Sequence, residues 1–293
     1  MNPSRFLAAL LLVPAALAIT ARAAEDTKVT TENDITYAKV NDAELKLDLA
    51  KPQSGEGPFP VVFVIHGGGW RGGDKKTNRP ALTEFARRGY VAVSPQYRFC
   101  PKDTFPAQVH DVKAAVRWIK SHAKEYKVDP NHVGAVGFSA GGHLALMLGL
   151  TGPTDGLEGE ADKDAPDTKI QAVVNYFGPT DLSAADYPEI SQEIIKAFLG
   201  GTPKEKSKEA AQASPVTFVS KGDAPVLTFQ GTKDPLVPHS QATKLADALT
   251  AAGVPGRVEL LVGAGHGWGG DDMKRTLNEM YAFFDAQLKP PPK

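Results

Sequence analysis

The 293-residue sequence has only one cysteine, Cys100, so no intrachain disulfide can form and the fold must be held by its core. Histidine and cysteine spacings of the kind that hold zinc are also missing, so no metal is expected. Charge of one sign is not in excess: 33 basic side chains stand against 34 acidic ones, which leaves no reason to expect nucleic acid or anionic lipid as a partner. The glycine patterns of nucleotide sites are absent too, as is any internal repeat. A membrane-spanning stretch is not found either. The apolar run Phe6 to Ile19 has 14 residues, and a span needs about 20. With Arg5 before it and Ala21-Arg22-Ala23 after it, the run has the three parts of a cleavable signal peptide covering residues 1–23. A secreted or periplasmic mature chain of residues 24–293 is expected, and no cysteine stands near the cut to carry a lipid.

What the mature chain does have is alternation of two kinds of segment. Ile35 to Val40 and Ala43 to Leu49 alternate apolar and polar residues around Asn41-Asp42, which predicts an antiparallel hairpin with one wetted face. From Phe59 onward the pattern changes to short continuous apolar runs at Val61 to Ile65, Tyr90 to Val93, Val133 to Val136, Ala172 to Phe177, Val226 to Phe229 and Val258 to Val262. Such runs suit strands covered on both faces, as in a parallel sheet. Helical patterns fall between most of them, at Arg79 to Arg88, Gln108 to Glu125, Ala140 to Leu150, Ser240 to Ala252 and Met273 to Leu288. The expected fold is therefore α/β: one domain with a mostly parallel, doubly wound sheet, helices on both faces and an amino-terminal antiparallel hairpin. The alternation breaks once, at a cap-like insertion of about residues 182–214. In such a sheet the insertion lies above the carboxyl ends of the strands, where ligands bind.

The pentapeptide Gly137-Phe138-Ser139-Ala140-Gly141 joins the third of these apolar runs to a helical stretch. In a chain with 28 glycines the five residues alone are a weak signal. Their setting strengthens it, because a sharp strand-to-helix turn exposes a serine oxygen, and the flanking glycines let the backbone pass without a Cβ clash. Ser139 is read as a nucleophile. After the first apolar run comes His66-Gly67-Gly68-Gly69-Trp70, whose glycines allow successive amides to face one point. Gly68 and Gly69, with the amide of Ala140 at the helix start, are read as donors to an oxyanion.

A serine nucleophile needs a base. Of the seven histidines, His266 in Gly263-Ala264-Gly265-His266-Gly267-Trp268 follows the last strand on a flexible loop. His66 belongs to the oxyanion loop, His110 and His122 to a helix, and His132 and His239 to element starts. His143, four residues after the serine, is read as a packing neighbour. Asp234 in Gly231-Thr232-Lys233-Asp234-Pro235 follows another strand and can orient the base by accepting from its far ring nitrogen. Asp181, Asp271 and Asp272 are its rivals. Trp70 and Trp268 are read as substrate-binding walls beside the site, although tryptophan is as often plain core.

These segments together resemble the His-Gly-Gly-Gly-bearing esterases of the α/β-hydrolase superfamily, whose triad runs in the chain order Ser, Asp, His. The resemblance extends from about Leu45 to Leu288 and is closest to acetylxylan and feruloyl esterases, more distant to the hormone-sensitive-lipase-like enzymes. It is carried by His66 to Asp74, Gly137 to His143, Asp234 to Pro238 and Gly265 to Trp268, with Tyr97-Arg98, Asp111 and Arg117-Trp118 matching as scaffold. The hormone-sensitive-lipase-like enzymes carry an amino-terminal helical cap, for which Ala24 to Thr36 offers too little chain.

The resemblance implies the α/β-hydrolase fold, no cofactor, and a serine carboxylesterase acting on short-chain or polysaccharide-borne esters. Other readings on the same fold are an arylformamidase, an exopeptidase and a non-catalytic binding module. Ser139→Ala is expected to lower ester hydrolysis by more than about a thousandfold without unfolding the protein. Turnover by the purified variant beside its circular dichroism spectrum checks both halves, and unchanged turnover refutes the assignment.

Overall fold

The computed structural model describes residues 28–290; the signal peptide read at 1–23 lies outside them, as does most of the terminal Pro-rich tail. The described chain opens with β1 (Val29–Val40) and β2 (Ala43–Pro52), an antiparallel pair closing at Val40 and Ala43. Their turn puts Asn41 at a φ of 52°, a left-handed conformation that asparagine tolerates better than most residues. Then follow β3 (Phe59–Ile65), α1 (Arg79–Arg87), β4 (Val91–Pro95), α2 (Ala107–Ser121), α3 (Ala123–Tyr126), β5 (Val128–Phe138) and α4 (Ala140–Leu150). The second half runs β6 (Ala172–Tyr176), α5 (Glu189–Leu199), α6 (Ser207–Gln212), β7 (Val226–Gly231), α7 (Ser240–Ala252), β8 (Gly256–Leu261) and α8 (Gly270–Leu288).

All eight strands join one sheet in the order β1-β2-β4-β3-β5-β6-β7-β8. The hairpin and the β2–β4 pair are antiparallel, and β3 to β8 are mutually parallel. Two apolar layers result. On one face, α2, α4 and α7 bury Val109, Val112, Leu144 and Leu245 against Val61, Phe63, Ala135 and Val173. On the other, α1 and α8 bury Phe85, Met280 and Phe284 against Val62, Val136, Val174 and Phe229. Alternate residues of one strand feed opposite layers, which is why the central strands read as unbroken apolar runs. This is the α/β-hydrolase fold.

Two expectations need correction. The stretch 108–125 is two helices, because His122 leaves helical geometry at φ −97° and ψ 21°; its Nδ1 and its own amide both bond the Trp118 carbonyl. The run 258–262 forms the edge strand β8, half open to solvent, and Val262 lies beyond it at 93% exposure. The insertion holds the two helices α5 and α6, and Ile190 at the start of α5 is 58% exposed.

In the absence of a disulfide, the antiparallel edge is tied to the core by ions. Asp48 of β2, fully buried, accepts from Lys75 Nζ at 2.5 Å, from Arg79 Nε at 2.7 Å and from the Asp34 amide at 2.9 Å. Burial alone would push its carboxyl up, but those donors outweigh it and hold the group below the ordinary carboxylate range. A depressed carboxylate contributes stability above its unfolded pKa, and the contribution disappears as pH falls through the folded value. Asp48→Asn, which leaves buried Lys75 with the half-exposed Asp34 as its remaining counter-charge, should therefore cost about 3 kcal/mol at pH 7. Urea unfolding of both proteins should show the gap narrowing below about pH 4. A pH-independent gap, or none, contradicts the account.

Candidate active site

The carboxyl ends of β3, β5, β7 and β8 deliver four loops to one edge of the sheet, and close packing sets where each loop stops. At the end of β5, a Cβ on Gly137 would stand 2.0 Å from the Gly141 carbonyl oxygen, and one on Gly141 would stand 2.1 Å from that of Ile65 in β3. Only glycine permits the first turn of α4 to press so closely on the sheet. The chain must then reverse within one residue. Ser139 does so at φ 53°, ψ −122°, a region costing a non-glycine residue about 1–3 kcal/mol. Its amide bonds the Tyr176 carbonyl at 2.9 Å.

Ser139 Oγ lies 2.9 Å from His266 Nε2, and His266 Nδ1 lies 2.8 Å from Asp234 Oδ2. The Asp234 side chain is buried and its second oxygen accepts from the Leu236 and Val237 amides at 2.8 and 2.9 Å. Gln230 Nε2 adds a bond to Oδ2 at 3.0 Å. Burial raises the carboxyl's pKa, but the bonds from His266 and the two amides prevail and set it below the ordinary range. A carboxylate so held accepts from Nδ1–H and leaves Nε2 free to take a proton from the serine.

The glycine loop after β3 passes directly over this elbow: a Cβ on Gly67 would meet the Phe138 carbonyl at 2.7 Å and Ser139 Cβ at 3.3 Å. Gly68 has a φ of 115°, and a Cβ there would sit 2.1 Å from the Gly72 oxygen, so the loop folds onto itself only with glycine at 68. Tyr97 Oη bonds the carbonyl oxygens of His66 and Gly67 at 2.9 and 3.3 Å, turning those oxygens away from the serine. Among the described hydrogen bonds, neither the Gly68 nor the Gly69 amide serves as a donor, and Ala140 begins a helix whose first amides have no internal partner. These three residues line the same cavity as Ser139 and His266.

That cavity, of about 430 Å³, is walled by Trp70, Phe177, Tyr187, Ile194, Leu236 and Val237, with Arg71 also in its lining. Trp70 thus stands where the sequence put it, though its ring is buried and stacked on Phe198 at 4.2 Å. Trp268 does not. Its indole packs behind Phe177, with ring centroids 5.4 Å apart, and donates to Thr276 Oγ1 at 3.0 Å, so it supports the wall without lining the cavity. The rival acids are placed elsewhere. Asp181 pairs with Lys244 at 2.8 Å, and Asp271 and Asp272 fall in the first turn of α8, where the helix dipole favours them. Sequence reasoning missed Phe177, whose ring lies 4.7 Å from that of His266, as well as Tyr187 and Gln230. The position of Phe177 and Gln230 at strand ends was the available signal. No cluster of potential metal ligands occurs among the described residues.

This arrangement of sheet, elbow and hydrogen-bonded trio defines an α/β-hydrolase. Residues 47–249 match the BD-FAE family, and the chain belongs to that family. The chain is 33% identical over 225 residues to the probable carboxylic ester hydrolase LipM of Mycobacterium tuberculosis, covering 74% of this chain and 51% of that protein. It spans about half the length of the curated relatives it matches. Among solved structures, a truncated carbohydrate esterase from gut microbiota superposes with a TM-score of 0.77 at 25% identity, covering 90% of this chain and 99% of that one. A thermophilic esterase of the planctomycete Thermogutta terrifontis gives 0.73 at 28%, covering 92% and 96%.

The two aspartates can be told apart directly. Asp234→Asn should lower turnover of p-nitrophenyl acetate by about three orders of magnitude or more, by favouring the wrong tautomer of His266. Asp181→Asn should stay within about threefold of the parent. The reverse order would transfer the orienting role to Asp181.

Proposed function

We propose that the chain is a serine carboxylesterase. The observation that carries this is the continuous hydrogen-bonded path from Asp234 through His266 to Ser139, opening on a cavity that Gly68, Gly69 and Ala140 also line. Ser139 Oγ adds to the ester carbonyl carbon while its proton passes to His266 Nε2, and Asp234 stabilises the resulting imidazolium. The amides of Gly68, Gly69 and Ala140 hold the oxyanion. Collapse breaks the carbon–oxygen bond to the alcohol, which leaves with the proton from His266. Water then gives its proton to the same nitrogen and adds to the acyl-serine, and the acid departs as Ser139 recovers its proton.

The acyl group is proposed to be short, and the ester small or carried on a polysaccharide. Ile194 supports the first part: its Cγ2 would lie 3.0 Å from a Cβ on Gly69, so α5 closes the cavity directly above the oxyanion loop. The Thermogutta esterase, solved with propionate and with butyrate bound, supports it as well. The gut homologue named a carbohydrate esterase supports the polysaccharide part. Export to the periplasm or the medium, proposed from residues 1–23, suits a substrate that cannot enter the cell.

A lipase would expose a broad apolar face when its lid opens. The insertion here turns Ile195, Phe198 and Leu199 into the core and leaves Ile190 as its exposed large apolar side chain. Esters of two to four acyl carbons should therefore be hydrolysed at least about tenfold more efficiently than esters of ten or more, with no rise in rate when substrate forms micelles. A p-nitrophenyl ester series read across the micellar threshold checks this. Preference for long-chain emulsions would overturn the substrate class, and no hydrolysis of any ester would overturn the activity.

A further inference from the structure

His143 is left unused by the mechanism, although it lies one helical turn beyond Ser139 and its amide bonds the Ser139 carbonyl at 3.0 Å. Its imidazole is fully buried and touches two other segments. The indole Nε1–H of Trp70 donates to Nδ1 at 3.3 Å, so Nδ1 carries no proton; Nε2–H must then donate to the Ala213 carbonyl of the insertion, 2.7 Å away. Burial favours this neutral form and depresses the group's pKa to about 4, a shift that the bond to Ala213 only partly offsets. Phe198 of α5 closes the cluster, stacked on Trp70 and edge-on to His143 at 5.6 Å.

Trp70 is the residue that needs holding. It directly follows Gly68 and Gly69, yet it has a φ of 55°, a left-handed conformation unfavourable for a bulky side chain. Such a conformation persists only when its surroundings over-determine it. Here the surroundings are the Phe198 ring, the bond from the Cys100 amide to the Trp70 carbonyl at 2.9 Å, and the bond to His143. Only the last originates on the helix that carries the nucleophile.

We propose that His143 is a positioning residue which, through Trp70, sets the Gly68 and Gly69 amides against Ser139. The inference rests on the esterase reading. Because the amides act on charge that develops in the transition state, loosening them lowers kcat and leaves KM in place. Loss of packing alone would instead lower the fraction of folded enzyme, with each folded molecule fully active.

The test is steady-state hydrolysis of p-nitrophenyl acetate, with kcat expressed per serine titrated by a fluorophosphonate. His143→Gln can still reach Ala213 but misplaces the acceptor for Trp70. Trp70→Phe keeps an aromatic ring stacked on Phe198 while removing the donor with part of the indole, so it should fold even if the first variant does not. Each is expected to lower kcat about tenfold with KM within about twofold, and the double variant to lose no more than either single one. His143→Asn, whose side-chain oxygen can occupy the Nδ1 position, should recover most of the loss. Full kcat per titrated serine in Trp70→Phe, or independent losses in the double variant, overturns the proposal. If the parent protein neither turns over ester nor reacts with the fluorophosphonate, the esterase reading itself fails.

Discussion

The site depends on one close approach. The first turn of α4 lies against the ends of β3 and β5 with no room for a Cβ at Gly137 or Gly141, and this forces the intervening serine into a left-handed turn. A side chain at either glycine would lift the helix from the sheet and relax the strain at Ser139. With the helix seated, its amino terminus, its first free amide and the serine oxygen all face the cavity. The glycine loop after β3 passes over the same point, in contact with the Phe138 carbonyl. The serine elbow and the glycine loop are thus brought together by close packing of backbone on backbone.

Much of this was legible because it is local. Continuous apolar runs give buried parallel strands, and a residue just past such a run must lie at the sheet's carboxyl edge. That logic placed Ser139, Asp234 and His266 on neighbouring loops, and the structure brings the three within hydrogen-bond reach. Contacts between segments distant in the chain were not legible. Trp268 stands two residues from His266, but whether it faces the cavity depends on Thr276 and Phe177, which no local pattern links to it. Ile190 has the helical spacing of a packed residue and sits at the first turn of α5, where the domain beneath has ended. The break at His122 is a local departure of one residue from helical geometry, which periodicity does not register.

A chain without disulfides that carries loops of this length needs other fasteners, and it uses buried charge. Lys113 of α2, wholly enclosed, pairs with Glu158 at 2.6 Å, and Arg117 one turn on bonds the same carboxylate at 3.0 Å. Burial depresses the ammonium's pKa more than Glu158 raises it. The pair is therefore a weak source of net stability, and removing either member would leave a charge stranded in the core. Its effect is to specify position: the 152–170 segment can dock in one way only. Asp111 with Arg98, and Asp48 with Lys75, do the same for the segment after β4 and for the hairpin.

The insertion is fastened too firmly to act as a lid. The Phe105 amide bonds the Phe198 carbonyl at 2.8 Å, Ser191 Oγ bonds the Leu236 carbonyl at 2.7 Å, and the Leu182 amide bonds Ser214 Oγ at 2.8 Å. The third bond joins the segment's own two ends, and the first two tie it to two different parts of the domain. Opening it would break them together and expose Phe198, Leu199 and the Trp70 ring. Such a wall forms a cavity that is complete before substrate arrives, so no binding energy is spent on closing it. The fixed wall also joins the Asp234 loop, since Leu236 receives the Ser191 bond while its own amide bonds the Asp234 carboxylate. The segment that bounds the cavity and the loop that carries Asp234 are therefore held as a single unit.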